Sequence, residues 1–205
     1  MAWLYVISNQ RLTRYPLEVL ASQLEGIDFF QLREKELPAN ELYRLACKLK
    51  KVLPATTKFL INDRVDIALA VQADGVHLGQ TSFPVDVARR LLGPGKIIGV
   101  SVHDLTEAQR AALAGADYLL FGHVFPTESK KGLPPRGLTN LEEVARKVGI
   151  PVIALGGITP DRVRPCLEAG ASGVAVMSAI MAAEYPREAV LKFRQALNQG
   201  EFPSS

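Results

Sequence analysis

A short segment of the sequence carries groups that can bind anions. Gln31, Arg33 and Lys35 alternate along it, so their side chains share one face of an extended strand. A guanidinium and an ammonium group on that face suit a substrate carboxylate or phosphate, although Arg33 could instead pair internally with Glu34 or Asp63. We predict that Gln31, Arg33 and Lys35 bind substrate.

His123 is the histidine best placed for acid or base chemistry. It follows Gly122 at the end of an apolar run, where its imidazole can reach a site and exchange a proton near neutral pH. His77 lies inside an apolar run and is expected to be a buried, hydrogen-bonded residue, while His103 is expected to cap a helix. We predict that His123 is catalytic.

Two further segments are typical of phosphate binding. Gly156 and Gly157 stand between an apolar run and the start of a helix, so backbone amides there can face an anion, unless the pair only makes a tight turn. Met177, Ser178 and Ala179 follow the next apolar run and can add their own amides. Together these segments predict a phosphate cup.

A polar loop over residues 128–137 carries Lys130 and Lys131, and it is either a lid that closes over substrate anions or an ordinary solvated loop. Asn62 and Ser101 also end apolar runs, so their polar side chains are further candidates for binding substrate. All these candidates thus lie where predicted strands end.

The elements that would position them alternate regularly along the chain. Predicted strands are Leu4 to Ser8, Phe29 to Arg33, Lys58 to Asn62, Gly75 to Leu78, Ile97 to Ser101, Tyr118 to Gly122, Val152 to Leu155 and Gly173 to Met177. Predicted helices are Pro16 to Leu24, Asn40 to Val52, Val85 to Leu92, Thr106 to Ala114, Leu141 to Val148, Pro160 to Ala169 and Pro186 to Leu197. Eight buried strands with crossover helices favour an α/β (β/α)8 barrel, the alternative being an open doubly wound sheet.

Composition limits the remaining possibilities. The chain has 205 residues, of which 48% are hydrophobic and 22% charged, which predicts one globular domain over residues 1–205. The formal charge of +3 has no dominant cluster, so neither nucleic-acid nor membrane binding is expected, and a homo-oligomer remains open. Cys47 and Cys166 are predicted to be reduced, which favours a cytoplasmic protein.

The motifs together resemble the thiamine phosphate synthase superfamily over nearly the whole chain. Segments 31–35, 62–64, 77–80, 99–103, 156–158 and 174–180 match its motifs in order. The resemblance implies a (β/α)8 barrel and a phosphorylated thiazole substrate whose ring is oriented by Gln31, Asn62 and Ser101.

Two departures indicate the branch of TenI-type thiazole tautomerases. The synthases carry a magnesium-binding aspartate after the Gly-Gln of strand four, and we place Thr81 at that position. They also read Gly-Pro where this chain has Gly122-His123. The resemblance then implies an isomerase without metal or cofactor, which converts a dihydrothiazole carboxylate phosphate to aromatic 2-carboxy-4-methylthiazole phosphate by proton transfer at His123.

Two other functions stay open. A thiamine phosphate synthase would join thiazole phosphate to pyrimidine pyrophosphate, and Asp63 retains one carboxylate of such a magnesium site. A regulatory protein would bind thiazole phosphate without turnover. Such a binder needs the anion sites but no acid or base.

Overall fold

The computed structural model describes residues 1–199, and it contains a closed barrel of eight parallel strands in chain order. The strands are β1 Trp3–Ile7, β2 Phe29–Leu32, β3 Lys58–Asn62, β4 Gly75–Leu78, β5 Ile97–Val102, β6 Tyr118–Gly122, β7 Val152–Leu155 and β8 Gly173–Val176. The predicted (β/α)8 barrel is confirmed, and the open doubly wound sheet is wrong because β8 pairs with β1. Residues 200–205 of the predicted domain lie outside the described residues.

Helices alternate with the strands on the outside of the barrel. They are α1 Leu17–Ala21, α2 Ala39–Val52, α3 Val65–Ala70, α4 Val85–Leu92, α5 Leu105–Leu113, α6 Gly137–Lys147, α7 Pro160–Glu168, α8 Ser178–Met181 and α9 Pro186–Asn198. The helices α3 and α8 and the 3-10 turn Glu128–Lys130 were not predicted from the sequence. These elements are too short to display a helical period clearly.

Two apolar layers hold the barrel together. The larger lies between the strands and the helices, where Leu4, Phe30 and Ile61 are fully buried. The smaller fills the barrel interior around Tyr5 and Tyr118. Inward-facing residues of parallel strands stack in layers, so each strand contributes side chains to both the helix-facing core and the interior.

Gly99 makes room for the ring of Tyr118 inside the barrel. A Cβ at position 99 would lie 1.9 Å from Cζ of Tyr118 and 2.2 Å from its hydroxyl oxygen. A side chain on β5 at this level is therefore excluded by the tyrosine on β6. The glycine lets Tyr118 reach toward the polar groups at the mouth.

The last helix is fastened to the opposite end of the barrel by Arg194. Its guanidinium bonds to Asp28 and to the carbonyl oxygen of Gly26, and it donates to the carbonyl oxygen of Ala2 over 3.1 Å. Asp28 also accepts from the backbone amide of Leu4 over 2.7 Å. This network joins α9, β1 and the turn before β2.

No helix in the described range has both the length and the apolar character needed to cross a membrane.

Candidate active site

The carboxyl ends of the strands meet at one mouth of the barrel, and the ring-orienting residues predicted from sequence lie close together there. Gln31 of β2 donates from Nε2 to Oδ1 of Asn62 on β3 over 2.7 Å. Ser101 of β5 places Oγ 2.8 Å from Nε2 of His77 on β4. Four adjacent strands therefore supply one polar layer at the mouth.

Asp63 follows β3 and accepts hydrogen bonds from three directions. Its Oδ2 accepts from Nδ2 of Asn62 over 2.7 Å, and its Oδ1 accepts from the amide of Gly79 over 3.1 Å and from the hydroxyl of Ser82. Asp63 has a φ of +60°, a conformation that aspartate tolerates better than most residues. The carboxylate is thus fixed between the ends of β3 and β4.

Arg33 is held at the mouth by its backbone rather than by an ion pair. The buried carboxylate of Glu34 accepts from Oγ of Ser8 over 2.6 Å and from the amide of Gln10 over 3.1 Å. Oγ of Ser8 in turn accepts from the amide of Arg33 over 2.9 Å. Because Glu34 is engaged in this way, Arg33 has no ion-pair partner within residues 1–199, and its half-buried guanidinium remains able to bind an anion. Lys35 is exposed beside it.

His123 is buried beneath the loop that follows β6. Its Nε2 lies 3.2 Å from the carbonyl oxygen of Leu133, while its own carbonyl oxygen accepts from the amide of Arg136 over 2.8 Å. The amide of Gly137 bonds to the carbonyl oxygen of Val124 over 3.1 Å. The loop over residues 128–136 is therefore fastened on both sides of the imidazole.

The two lysines of this loop are exposed. Lys130 ends the short 3-10 turn, and Lys131 places Nζ 3.9 Å from the carboxylate of Glu128. Both side chains of that ion pair are more than four-fifths exposed, so solvent screens the attraction and the pair contributes little stability. Neither lysine contacts the polar layer in this arrangement, and their predicted role at the substrate stays a prediction.

The paired glycines after β7 lie against the loop that carries His123. Gly156 has a φ of +99° and Gly157 a φ of +65°, and a Cβ on Gly156 would lie 2.2 Å from Cβ of His123. A Cβ on Gly157 would lie 2.4 Å from the carbonyl oxygen of Pro126. Both positions therefore require glycine, and the bare backbone of this turn lies against Cα and Cβ of His123.

Arg162 braces the glycine turn from the first turn of α7. Its Nη1 donates to the carbonyl oxygen of Gly157 over 2.6 Å, and its guanidinium carbon lies 4.8 Å from the centroid of the Phe125 ring. This contact joins the loops after β6 and β7. The other predicted phosphate segment comprises a half-buried Met177, an exposed Ser178 and a half-buried Ala179 at the start of α8.

Of the other two histidines, only His77 has the role expected from sequence, because the N-cap of α5 is Asp104 and not His103. His77 is buried, and both ring nitrogens have partners, since Nδ1 lies 2.9 Å from the hydroxyl of Tyr118 and Nε2 bonds with Ser101. Burial lowers the pKa of His77 to about 3, so the ring is neutral at physiological pH. His103 lies 3.0 Å from a carboxylate oxygen of Glu107 in the first turn of α5.

Three residues that the sequence analysis did not select belong to this site. Ser82 contacts Asp63, whereas its neighbour Thr81 had been considered from the sequence. Tyr5 and Tyr118 reach the polar layer from below, with their hydroxyl oxygens 2.8 Å apart. The sequence signal for the tyrosines was their phenol groups within otherwise apolar strands, because a buried hydroxyl requires a partner.

Comparison with known proteins shows that the chain belongs to one family. Residues 4–180 match the family described as thiamine monophosphate synthase, TMP-TENI. A protein of Chlorobium luteolum named thiamine-phosphate synthase is 47% identical over 89% of this chain and 88% of its own length. A protein of the same name from Moorella thermoacetica is 43% identical over 96% of each chain. The solved thiamine phosphate pyrophosphorylase from Pyrococcus furiosus has a TM-score of 0.87 and 40% identity, covering 97% of this chain and 96% of its own.

These relatives overturn the prediction of a TenI-type thiazole tautomerase and, with it, of an isomerase. That prediction rested on Gly122-His123 and Thr81, whereas proteins named as synthases match along nearly the entire chain. The geometry shows why the local argument was weak. His123 bonds to the carbonyl oxygen of Leu133, so its presence does not by itself indicate proton transfer to a ligand, and Ser82 rather than Thr81 faces Asp63.

Proposed function

We propose, since the chain belongs to the thiamine monophosphate synthase family, that it is a thiamine-phosphate synthase that joins a thiazole phosphate to a pyrimidine pyrophosphate and releases pyrophosphate. The observation that carries the proposal is the near full-length similarity to proteins of that name, at 43% identity over 96% of the chain. The polar mouth of the barrel supports it, because it offers separate groups for a ring and for two anions. The reaction is a transfer and not an isomerisation.

The pyrimidine side of the site lies over β2 to β5. Gln31, Asn62 and Ser101 form the polar layer that would hold the ring by hydrogen bonds. Arg33 and Lys35 follow β2 and would bind the pyrophosphate, since the guanidinium of Arg33 has no ion-pair partner in the described chain. This arrangement would place the ring above the barrel interior and its leaving group toward solvent.

The thiazole side lies over β6 to β8. The glycine turn at Gly156 and Gly157 and the segment Met177, Ser178 and Ala179 would bind the thiazole phosphate through backbone amides. Lys130 and Lys131 would add positive charge from the loop above it. The two substrates would then approach each other across the mouth.

The reaction needs orientation and exclusion of water more than it needs a proton carrier. The thiazole nitrogen donates its electron pair to the methylene carbon of the pyrimidine, and the bond from that carbon to the pyrophosphate oxygen breaks with its electrons leaving on oxygen. No proton is transferred in forming this bond. Holding the reacting atoms together while pyrophosphate leaves is the main contribution that the protein can make.

His123 is proposed to act on this reaction by closing the site. Its Cα and Cβ lie against Gly156, and its imidazole bonds through Nε2 to the carbonyl oxygen of Leu133 in the loop above. Fastening that loop would keep water away from the electron-poor methylene carbon as the leaving group departs. The earlier assignment of His123 as an acid or base for isomerisation is not needed for the transfer.

The residues at the end of β3 fit a magnesium ion held through few protein ligands. Asp63 supplies a carboxylate and Ser82 a hydroxyl, both oxygen ligands of the kind magnesium prefers, and substrate phosphates commonly complete such sites. Within residues 1–199 no cluster of three or more His, Cys, Asp or Glu residues could hold a metal alone. When bound, the ion would neutralise charge on the pyrophosphate. The sequence had predicted a protein that binds no metal, and the proposed magnesium site replaces that prediction.

The test is direct synthesis of thiamine phosphate. The purified protein is mixed with thiazole phosphate, pyrimidine pyrophosphate and magnesium chloride, and thiamine phosphate and pyrophosphate are measured against a chelated control. We expect equal amounts of both products, and we expect Asp63→Asn to lower kcat/KM about 100-fold, a loss of ~2.7 kcal/mol in transition-state stabilisation. Asp86→Asn is the matched control, because Asp86 is an exposed carboxylate on α4.

Absence of thiamine phosphate at saturating substrates would refute the proposal. If thiazole phosphate still bound under those conditions, the regulatory binder considered above would be the better description. Cytoplasmic location and self-association are also proposals. The free thiols of Cys47 and Cys166 are compatible with a reducing compartment.

A further inference from the structure

A continuous chain of hydrogen bonds crosses the inside of the barrel from the end of β3 to the end of β5. Consecutive heavy atoms along it are 2.7 to 3.0 Å apart. Its members, in order, are Asp63, Asn62, Gln31, Tyr5, Tyr118, His77 and Ser101. Within residues 1–199 no buried side-chain nitrogen or oxygen lacks a partner, so these groups satisfy one another.

The direction of this chain is fixed at its first member. Asp63 accepts at Oδ1 from the backbone amide of Gly79 and at Oδ2 from the amide nitrogen of Asn62. The amide oxygen of Asn62 then faces Gln31 and requires a donor, which is Nε2 of Gln31. The oxygen of Gln31 is left facing the hydroxyl of Tyr5, 3.0 Å away. Both amide orientations follow from the carboxylate.

The two tyrosines carry the same direction further. Burial raises the pKa of both phenols, so each keeps its single proton. Tyr5 gives its proton to Gln31, and the bond between the tyrosines must therefore be donated by Tyr118. The oxygen of Tyr118 has then no proton left for Nδ1 of His77, so it must accept from that nitrogen.

The last step concerns the tautomer of His77. A neutral imidazole carries one proton, and the preceding steps place it on Nδ1. Nε2 is then an acceptor, and its one hydrogen-bond partner within residues 1–199 is the hydroxyl of Ser101, which must donate. Because the hydroxyl of the half-buried Ser101 donates its proton to His77, its oxygen can only accept a hydrogen bond from a ligand at the mouth.

We propose that Tyr5, Tyr118 and His77 are positioning residues that hold Ser101 as a hydrogen-bond acceptor toward the ligand through this one-way order of donors. The site would then select a ligand that brings an N–H or O–H donor to β5 and would disfavour one that brings an acceptor. That this ligand is the pyrimidine substrate rests on the proposed function. The order of hydrogen-bond donors along the chain does not depend on the proposed function.

The first experiment reads the tautomer directly. Long-range proton–nitrogen NMR on protein with labelled histidine distinguishes a protonated ring nitrogen from a bare one, and the chain has three histidines. The His77 signals are assigned as those that vanish in His77→Gln. We expect a protonated Nδ1 and a bare Nε2 in the unliganded protein near neutral pH. A proton on Nε2 would overturn the proposal.

A substitution at a distance tests whether the chain transmits direction. Tyr5→Phe removes the oxygen that accepts the hydroxyl proton of Tyr118. Tyr118 can then donate that proton to Nδ1 of His77, and the proton of the histidine ring moves to Nε2. We expect this tautomer change although Tyr5 forms no hydrogen bond to His77. The matched control is Tyr185→Phe, which removes an exposed hydroxyl and should leave the tautomer unchanged.

A merely structural role for Tyr5 would lower the melting temperature and leave the tautomer as it was, which would contradict the proposal. If Tyr5→Phe does not fold, the tautomer of the unsubstituted protein still decides the question. For a functional synthase we also expect the KM for pyrimidine pyrophosphate to rise about tenfold in Tyr5→Phe, with the KM for thiazole phosphate unchanged. If the protein makes no thiamine phosphate but His77 carries its proton on Nδ1, the proposed order of hydrogen-bond donors is supported and only the proposed function is refuted.

Discussion

Replacing Gly156 by alanine should displace His123 and destabilise the barrel. The added Cβ would lie 2.2 Å from Cβ and 2.7 Å from Cα of His123, and the residue would keep a φ of +99°. Left-handed backbone costs an alanine about 1–2 kcal/mol, and forcing an atom into a packed site costs about 1–3 kcal/mol. We therefore expect the free energy of unfolding to fall by about 2–5 kcal/mol.

Two other glycines separate these contributions. Gly93 has a φ of +83°, a ψ of 175° and open space around its Cβ position, so Gly93→Ala measures the cost of a positive φ without a collision. Gly149 has open space and a φ outside the left-handed region, so Gly149→Ala should be neutral within about 0.5 kcal/mol. The difference between Gly156→Ala and Gly93→Ala then reports the collision with His123.

Thermal unfolding followed by circular dichroism measures the three variants together. A loss of 2–5 kcal/mol corresponds to a fall in Tm of about 5–15 °C for a domain of this size. Thiamine phosphate synthesis by Gly156→Ala should fall about 10–100-fold, because a shift of about 1 Å at the site misplaces the reacting atoms. If Gly156→Ala were no less stable than Gly93→Ala, the packing of the glycine turn against His123 would be refuted.

Three further results are expected. Arg194→Met should lower the free energy of unfolding by about 2–4 kcal/mol in urea titrations, because it leaves the part-buried carboxylate of Asp28 without its partner, and an unchanged midpoint would contradict the docking of α9. The pKa of His77 is about 3 in the folded protein and 6.5 in the unfolded chain, so burying the neutral ring carries no pH-dependent cost above pH 6.5. Between pH 6.5 and 3 this group should lower the free energy of unfolding by about 1.4 kcal/mol for each pH unit of acidification. The stability of His77→Gln should fall less steeply over that interval, and equal slopes would rule this out. Burial raises the pKa of Cys166 to about 12, so in the folded protein a thiol reagent at pH 8 should modify the half-buried Cys47 first, and rapid reaction of both would show that Cys166 is accessible.

Much of the barrel could be predicted because its strands are buried on both faces. Lys58–Asn62 and Gly75–Leu78 were located to the residue, since continuous apolar runs end sharply at polar or turn residues. The helices Val65–Ala70 and Ser178–Met181 were not predicted. Each spans fewer than two turns, and its formation depends on tertiary packing rather than on a periodic apolar face.

The site was harder to predict, because contacts across strands decide what each polar residue does. Glu34 could be imagined as a partner of Arg33, yet the structure pairs it with Ser8 and the backbone of Gln10 from the neighbouring strand end. Thr81 and Ser82 cannot be distinguished by type, and only the turn after β4 determines that Ser82 meets Asp63. The error over the tautomerase arose in the same way, since the bond from His123 to Leu133 depends on how the loop after β6 folds back, which residue types do not reveal.

The interior tyrosines connect the stability of the barrel to the chemistry at its mouth. The rings of Tyr5 and Phe29 are stacked with centroids 5.3 Å apart inside the apolar layer, and Tyr118 lies beside them. The hydroxyls of the same tyrosines belong to the polar layer above. Because one side chain serves both layers, a substitution that shifts an interior ring also moves a donor at the site. Interior packing and ligand preference should therefore change together in variants of this layer, whereas changes in the outer core beneath the helices should alter stability alone.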